Sequence, residues 1–452
     1  MKYDALPSRW PLTAFHVATR LRVRRAVVLT AMVALGLLLP TLVFRPLALS
    51  PAPGILDVFV RPGFHLTDLA VLAVILLGLA TWRGAGKVRA QASLTVPLLA
   101  LAGLALVVVP LALSPVVAGY SALRWMLACV LFIALQGSDL PVRGLVTGLL
   151  AGAIINAILA VGQVIVQAPL GLPGELTLAR DVSGAAVVGA ERWLRPYGLT
   201  FHPNVLGGLL VVGLLMMLPR VFSFHVKILW WLCWAALLLT VSRSAWIALA
   251  LTMPLAAGWL FWKAPGLRRS LVITAAGSIL VAAAVMAPLR PVFEARLTGG
   301  ITPSGQPTGV TERSIDERLA LQSVALGIIK DRPLSGVGAG NTPLAVQSSD
   351  VDATPQPIHN LPLLLAAELG AAGGGLWIWL WLAPLAMVMA RWRSRRAQPV
   401  ATLPTPWPLT FALAWLALGI IGLFDFYPWG LESGRLLSVV TLALFARTFN
   451  DT

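Results

Sequence analysis

Long apolar runs, separated by short polar segments, are the main pattern along this chain. Most runs are about 18 to 25 residues long, the length that a helix needs to cross the ~30 Å hydrocarbon layer of a bilayer. The pattern predicts an all-α polytopic membrane protein with about twelve transmembrane helices, folded as a single membrane domain over residues 1–452. The approximate spans are 25–44, 66–82, 93–113, 118–135, 143–167, 198–218, 226–241, 243–262, 270–288, 358–390, 407–424 and 430–447.

The tenth run, 358–390, is too long for one straight span. Gly373, Gly374 and Gly375 lie in its middle, and sharp helix kinks have local causes such as glycine. We therefore expect a bend or a strong tilt at these glycines.

The composition agrees with a membrane protein. The chain is 58% hydrophobic and 12% charged, whereas soluble domains carry about 25% charged residues. This hydrophobicity also excludes intrinsic disorder. Cys129 and Cys233 both lie in apolar runs, so they predict neither a disulfide framework nor a zinc site.

Basic residues gather in every second loop. Twenty of the 34 Lys and Arg residues, but three of the 18 Asp and Glu residues, lie in or beside the loops that we expect in the cytoplasm. By the positive-inside rule, both termini are then cytoplasmic. The arginines at 20–25 precede an uninterrupted span, which predicts an anchor and not a cleaved signal. The net charge of +16 therefore reports membrane orientation, and no nucleic-acid partner is expected. The expected cytoplasmic segments are 1–24, 83–92, 136–142, 219–225, 263–269, 391–406 and 448–452.

One extramembrane region, 289–357, is large and is expected on the outer, periplasmic side. Ser314 and Glu317 have the spacing of a capping box, and apolar residues at helical spacing follow from Leu321. We expect an amphipathic helix over about 313–330, ended by Pro333 and the glycine-rich turn after it.

Polar residues that lie in or at the ends of spans are costly and are therefore candidates for function. Those found here all fall on the expected outer side. For each one a structural interpretation stays open: an arginine can reach out to lipid headgroups, and a His, Asn or Glu can cap a helix or pair with an arginine. Trp246 and Trp429 fit aromatic-belt anchors. The candidates are Arg195, Tyr197, Asn204, Arg243, Arg313, Arg318, His359, Asn360, Glu368 and Asp425.

The convergence of several arginines and one histidine at the same depth favours one kind of chemistry. Arg binds phosphate oxygens in pairs and keeps its charge, and His accepts a proton near neutral pH. Together they indicate attack by a hydroxyl on a carbon that bears a diphosphate leaving group. No cluster of acidic residues resembles a divalent-metal site, so neither a metal nor another cofactor is expected.

Several motifs resemble those of the O-antigen ligase and polymerase superfamily. They are Arg195-Pro-Tyr-Gly-Leu199, Phe201-His-Pro-Asn204, Ser242-Arg-Ser-Ala-Trp246, Arg318-Leu-Ala-Leu, Pro333-Leu-Ser-Gly-Val-Gly-Ala-Gly-Asn341, and His359-Asn360 followed after nine residues by Gly370-Ala-Ala-Gly373. The last spacing is similar to the pattern of the ligases in particular. The resemblance covers about 190–430, and the first five spans match only in hydropathy.

The resemblance implies a bacterial inner-membrane glycosyltransferase with its active site facing the periplasm. Such an O-antigen ligase transfers O-antigen polysaccharide from undecaprenyl diphosphate to a sugar of the lipid A core, with inversion and without metal. By this resemblance His359 is the general base. Arg195, Arg243 and Arg318 are then candidates to bind the diphosphate, and Arg313, Tyr197, Asn204, Asn360, Glu368 and Asp425 support the site.

Two other functions stay open at this point. An O-antigen polymerase uses the same donor but extends a second lipid-linked glycan, so the shared motifs do not separate it from a ligase. A transporter of lipid-linked oligosaccharides is a more distant alternative, because transporters place charges near mid-membrane and have matched halves. The sequence leaves the glycan, the acceptor sugar and the oligomeric state open.

Overall fold

The protein is described from a computed structural model, and the described residues are almost entirely helical. Two short strands, Ala185–Val188 (β1) and Glu191–Leu194 (β2), form an antiparallel hairpin in the predicted outer loop 168–197. The structure describes residues 28–36, 59–60, 62–82, 91–172, 175, 185–188, 191–200, 202–298, 310–395 and 406–450.

Sixteen α-helices have assigned boundaries within these residues. Those before residue 289 are α1 Leu66–Ala80, α2 Ala92–Val107, α3 Pro115–Gly137, α4 Val142–Val166, α5 Pro203–Met217, α6 Phe224–Leu239, α7 Arg243–Lys263 and α8 Arg268–Met286. Those that follow are α9 Arg290–Thr298, α10 Val310–Asp331, α11 Thr342–Gln347, α12 Leu361–Leu369, α13 Ala371–Arg395, α14 Trp407–Gly422, α15 Tyr427–Gly430 and α16 Glu432–Asn450.

Six helical segments in the described residues are long and apolar enough to cross a membrane. They include α3, α4, α7, α8 and α13, and α5 together with the short turn after it. The apolar helices α1, α2, α6 and α14 are shorter, and each coincides with a predicted span. The predicted first span, 25–44, lies outside the described residues except for 28–36. The predicted helical architecture is therefore confirmed, with six candidate membrane spans in the described residues, whereas the count of twelve spans stays a prediction.

The tenth run is interrupted, but the predicted position of the bend was wrong. The break lies at Gly370, whose φ of 78° separates α12 from α13, while Gly373–Gly375 lie inside α13. Glycine adopts this left-handed backbone without steric cost. A Cβ on Gly370 would also collide with the carbonyl oxygen of Leu334, which makes glycine the residue that fits here.

The glycine-rich turn after α10 covers the end of α12. The last carbonyls of a helix lack partners within it. Here the amides of Val337 and Gly338 donate to the carbonyls of Ala367 and Glu368, each at 2.9 Å. The motifs 333–341 and 359–373 are therefore one structural unit, which places His359 and Asn360 at the opposite end of α12.

The predicted amphipathic helix of the outer region is present, but it begins earlier than expected. It covers Val310–Asp331, so Ser314 lies inside the helix and is not its N-cap. Leu321 and Ala325 are buried on its inner face, which packs against α12. This contact brings Arg318 over the region that His359 occupies.

A buried ion-pair cluster joins the three helices α1, α3 and α16. Arg124 of α3 contacts Asp68 of α1 at 2.7 Å and Glu432 of α16 at 2.9 Å. Arg435 also contacts Glu432 at 2.9 Å. None of these four residues was among the sequence candidates, because pairing between distant helices leaves no local pattern.

Candidate functional site

A cleft of about 270 Å³ lies where α5, α7 and α10 meet. Its walls combine two arginines with polar and apolar side chains, so a ligand with a charged group and an apolar group would fit. The lining residues are Asn204, Arg243, Ser244, Ile247, Ile315, Arg318 and Phe424.

Arg243 and Arg318 reach this cleft from different helices. Arg243 is the first residue of α7, and Arg318 lies in the N-terminal half of α10. Both are half-buried, and their positive charges are close enough to repel each other. Within the described part of the chain, no carboxylate is paired with either guanidinium. Two like charges held together in this way favour an anion between them.

Arg195 lies away from the cleft wall. Its side chain is 2% exposed, and its Nε donates to the carbonyl of Thr240 at 2.8 Å. Its Nη2 donates to Oδ1 of Asn204 at 2.9 Å and to the carbonyl of Val241 at 3.5 Å. The structure therefore links Arg195 to a cleft residue and to the corner between α6 and α7, but does not bring it to the cleft itself.

Asn204 connects Arg195 to Asp425. Its Nδ2 donates to Oδ2 of Asp425 at 2.8 Å, and the other carboxylate oxygen accepts from the backbone amide of Phe426 at 2.9 Å. Asp425 is buried. Its orientation is thus fixed from two sides, and its negative charge is held near His359.

His359 lies beside the cleft, just before α12. The predicted tenth span included it, but the segment that is long and apolar enough to cross a membrane begins only at Ala371. Its ring packs edge-on against Phe426, with ring centroids 5.0 Å apart. Within the described residues its Nδ1 is buried and has no hydrogen-bond partner. Burial lowers the pKa of His359, and the charge of Arg318 adds to this shift. Asp425, Glu317 and a hydrogen bond with the backbone of Pro357 oppose it. A neutral imidazole at neutral pH is the form that can accept a proton.

Asn360 and Glu368 both have structural partners. Asn360 caps α12, because its side chain accepts from the amide of Leu363 at 3.1 Å and donates to the carbonyl of Leu423 at 3.2 Å. Glu368 is buried at the other end of α12, where it accepts from the hydroxyl of Thr342 at 3.0 Å. The structure therefore does not bring Glu368 together with His359.

Tyr197 and Arg313 do not line the cleft. Tyr197 is fully buried, and its backbone amide donates to Oε1 of Gln163 at 2.9 Å. Arg313 lies in the first turns of α10, and its side chain is outside what the structure describes. Trp429, interpreted from sequence as a possible belt anchor, is buried in the core.

Two polar residues of α4 hold the segment 195–199, and the sequence candidates missed both. Gln163 accepts from the amides of Tyr197 and Gly198, each at 2.9 Å, and Asn156 accepts from the amide of Leu199 at 2.7 Å. An Asn and a Gln inside an apolar span were the available signal, since such residues usually satisfy a specific partner.

No metal site is evident in the described ranges, which contain no group of three or more His, Cys, Asp and Glu residues suited to holding an ion. The charged groups that the cleft offers are the two guanidinium groups. They can bind phosphate oxygens, and His359 can exchange a proton next to them.

Part of the chain is similar to a known protein family. Residues 228–378 match the family described as O-antigen ligase. Residues 228–378, about a third of the chain, therefore carry a domain of the O-antigen ligase family. The matched segment contains Arg243, Arg318 and His359, and the resemblance inferred from the motifs is thereby confirmed. No curated protein matches the chain closely enough to count as a relative.

The matched family gives the cleft a chemical context. It is a family of glycosyltransferase-like O-antigen ligases and polymerases, and it implies a lipid-linked glycan in a membrane. Asn204 lies before the matched segment and Asp425 after it, so the site is assembled from more of the chain than the family match covers.

Proposed function

We propose that this protein is an O-antigen ligase of the bacterial inner membrane. It transfers O-antigen polysaccharide from undecaprenyl diphosphate to a sugar of the lipid A core, in the biosynthesis of lipopolysaccharide. The observation that carries the proposal is the pair Arg243 and Arg318, which face one cleft beside His359 and have no paired carboxylate in the described residues.

The reaction is a single displacement. His359 takes the proton of an acceptor hydroxyl, and that oxygen attacks the anomeric carbon of the glycan. The bond between this carbon and the diphosphate oxygen breaks, and undecaprenyl diphosphate leaves with the bonding electrons. One displacement inverts the anomeric configuration.

The arginines lower the barrier by stabilising the negative charge that develops on the leaving diphosphate. Removing one aligned donor from such a site typically costs about 10²–10³-fold in rate. Guanidinium groups supply fixed charge where many phosphate-transfer sites use a divalent ion, so we propose a metal-independent reaction. Activity that EDTA abolished and a divalent cation restored would contradict this part.

Asp425 and Asn204 support the base and the cleft, respectively. The carboxylate of Asp425 stabilises the protonated ring of His359, which forms during the reaction. Asn204 lines the cleft while its amide holds Asp425 at 2.8 Å. Asn360 supports His359 less directly, by capping the helix that follows it.

The orientation of the protein follows from its charge distribution. The basic loops lie in the cytoplasm with both termini, and the cleft faces the periplasm. A cysteine introduced in 300–310 should then react with a membrane-impermeant thiol reagent in intact spheroplasts. Protection of that cysteine would reverse the proposed topology.

The acceptor distinguishes a ligase from a polymerase. Purified protein in proteoliposomes should be given the undecaprenyl-diphosphate glycan with either lipid A-core or a second lipid-linked glycan. We expect product with lipid A-core. Product with the second lipid-linked glycan alone would make the protein a polymerase, and movement of the donor across the bilayer without transfer would make it a transporter.

A further inference from the structure

The corner between α6 and α7 contains a strained residue. Val241 has a φ of 49°, the left-handed region of the backbone that glycine adopts readily. For a β-branched residue this conformation is a genuine outlier, which persists only where the surroundings enforce it. Val241 is buried, so the cause must be sought in its protein contacts.

Arg195 binds the backbone of this corner from outside it. Its Nε donates to the carbonyl of Thr240 at 2.8 Å, and its Nη2 lies 3.5 Å from the carbonyl of Val241. The hydroxyl of Thr240 donates to the carbonyl of Leu237 at 2.7 Å and completes the corner. A planar, permanently charged fork suits the task of holding two successive carbonyls together.

The conformation of this corner determines where α7 starts and therefore where Arg243 lies. Val241 is followed by the N-cap Ser242 and then by Arg243, the first residue of α7. A helix can start in this direction because Gly207 of α5 has no side chain: a Cβ there would lie 2.9 Å from the Cβ of Ala245. A change at Val241 therefore changes the direction in which Arg243 enters the cleft.

We propose that Arg195 is a positioning residue that acts through Arg243. It holds the strained backbone at Thr240 and Val241, which aims Arg243 into the cleft, and it does not touch the diphosphate. This inference rests on the proposed function, because it assigns Arg243 to the diphosphate of the donor. It replaces the direct role that the resemblance implies for Arg195.

A second-site substitution separates the two roles. Arg195→Met should raise the KM for the lipid-diphosphate donor on the order of tenfold to a hundredfold, the effect of misplacing a binding group. Adding Val241→Gly should return that KM to within a few-fold of the unmodified protein. Glycine adopts the left-handed backbone without the clamp, that is, without the hydrogen bonds from Arg195 to the carbonyls of Thr240 and Val241. Val241→Ala, which keeps the strain, should not restore it.

Arg447→Met is the matched control. Arg447 also donates to backbone carbonyls, those of Leu135 and Ser138. It lies near the C-terminal end of α16, whereas Phe424 and Asp425 precede the N-terminal end of that helix. This variant should melt at a lower temperature while the KM for the donor stays unchanged. If Arg195→Met does not accumulate as folded protein, Arg195→Lys takes its place in each comparison.

The melting temperatures of the same variants test the clamp without any turnover. Arg195→Met should cost less stability in the Val241→Gly background than in the unmodified chain, because less strain needs to be held. Equal losses of stability in both backgrounds would overturn the clamp.

A KM that stays high in the double variant, or that Arg195→Met leaves unchanged, would overturn the positioning role. If the unmodified protein transferred no lipid-linked glycan, the proposed function would fail, and the melting comparison would still decide the clamp.

Discussion

The side-chain amide of Asn204 donates to the carboxylate of Asp425 at 2.8 Å and joins the start of α5 to the turn after α14. Asn204 lines the cleft with Arg243 and Arg318, whereas the charge of Asp425 acts on His359. This one hydrogen bond therefore couples the proposed diphosphate site to the proposed base.

The pH dependence of the reaction should follow the pKa of His359. Burial lowers this pKa from its ordinary value of about 6.5, so the base is neutral at pH 7 and kcat/KM falls as the pH drops through the lowered pKa. Asp425→Asn removes a charge that raises the pKa, so the acid limb should move to lower pH. Arg318→Gln removes a charge that lowers it, so the limb should move to higher pH. The measurement is kcat/KM between about pH 4 and 8.

The acid limb of the pH profile should move in opposite directions in Asp425→Asn and Arg318→Gln, which identifies His359 as the group that titrates. Glu317→Gln is the companion variant, because Glu317 also raises the pKa of His359 and does not line the cleft. It should move the limb in the same direction as Asp425→Asn. A limb that stayed in place in all three variants would mean that another group titrates.

The two cleft arginines should contribute to donor binding as well as to stabilisation of the leaving diphosphate. A hydrogen bond to a charged group is worth about 1.5–3 kcal/mol, so Arg243→Met and Arg318→Met should each raise the donor KM by roughly tenfold to a hundredfold. Arg332→Met is the control on the C-terminal side of α10, where the side chain is exposed. Arg332→Met should leave the donor KM unchanged. If Arg243→Met and Arg318→Met also left it unchanged, the two arginines would not form the diphosphate site.

Gly370 should be required for stability and not for chemistry. Gly370→Ala forces a side chain into the left-handed backbone and against the carbonyl of Leu334, at a cost of about 1–3 kcal/mol. The melting temperature should fall clearly. Gly375→Ala is the matched control, because no atom lies within 4 Å of a Cβ there. Equal melting temperatures of the two variants would contradict the role assigned to the break.

Local patterns in the sequence located the parts of the site, but not their connections. The amphipathic period around Leu321 predicted α10, and the polar residues at span ends included Arg243, Arg318 and His359. The same reasoning could not place Arg195 behind the cleft, because its burial depends on a corner made by a different pair of helices. The pairs of Asp68, Arg124 and Glu432 stayed hidden for the same reason.

The glycine motifs also show that a local pattern does not predict contacts between distant segments. Their spacing carried the resemblance to the superfamily, but the bend was expected at 373–375 and occurs at Gly370. The deciding contact is with Leu334, which belongs to the other motif. A one-dimensional pattern shows where glycine is used, whereas the reason for it is the approach of a second segment.

Transfer by purified protein in a single turnover tests the central claim most directly. Unmodified protein, His359→Gln and the Arg447→Met control are mixed with the undecaprenyl-diphosphate glycan and lipid A-core, and the product glycolipid is measured over time. We predict that His359→Gln slows transfer by at least about 10²-fold while the donor still binds, as expected for loss of a general base. The Arg447→Met control should transfer at the unmodified rate. Transfer by His359→Gln at that same rate would contradict the account.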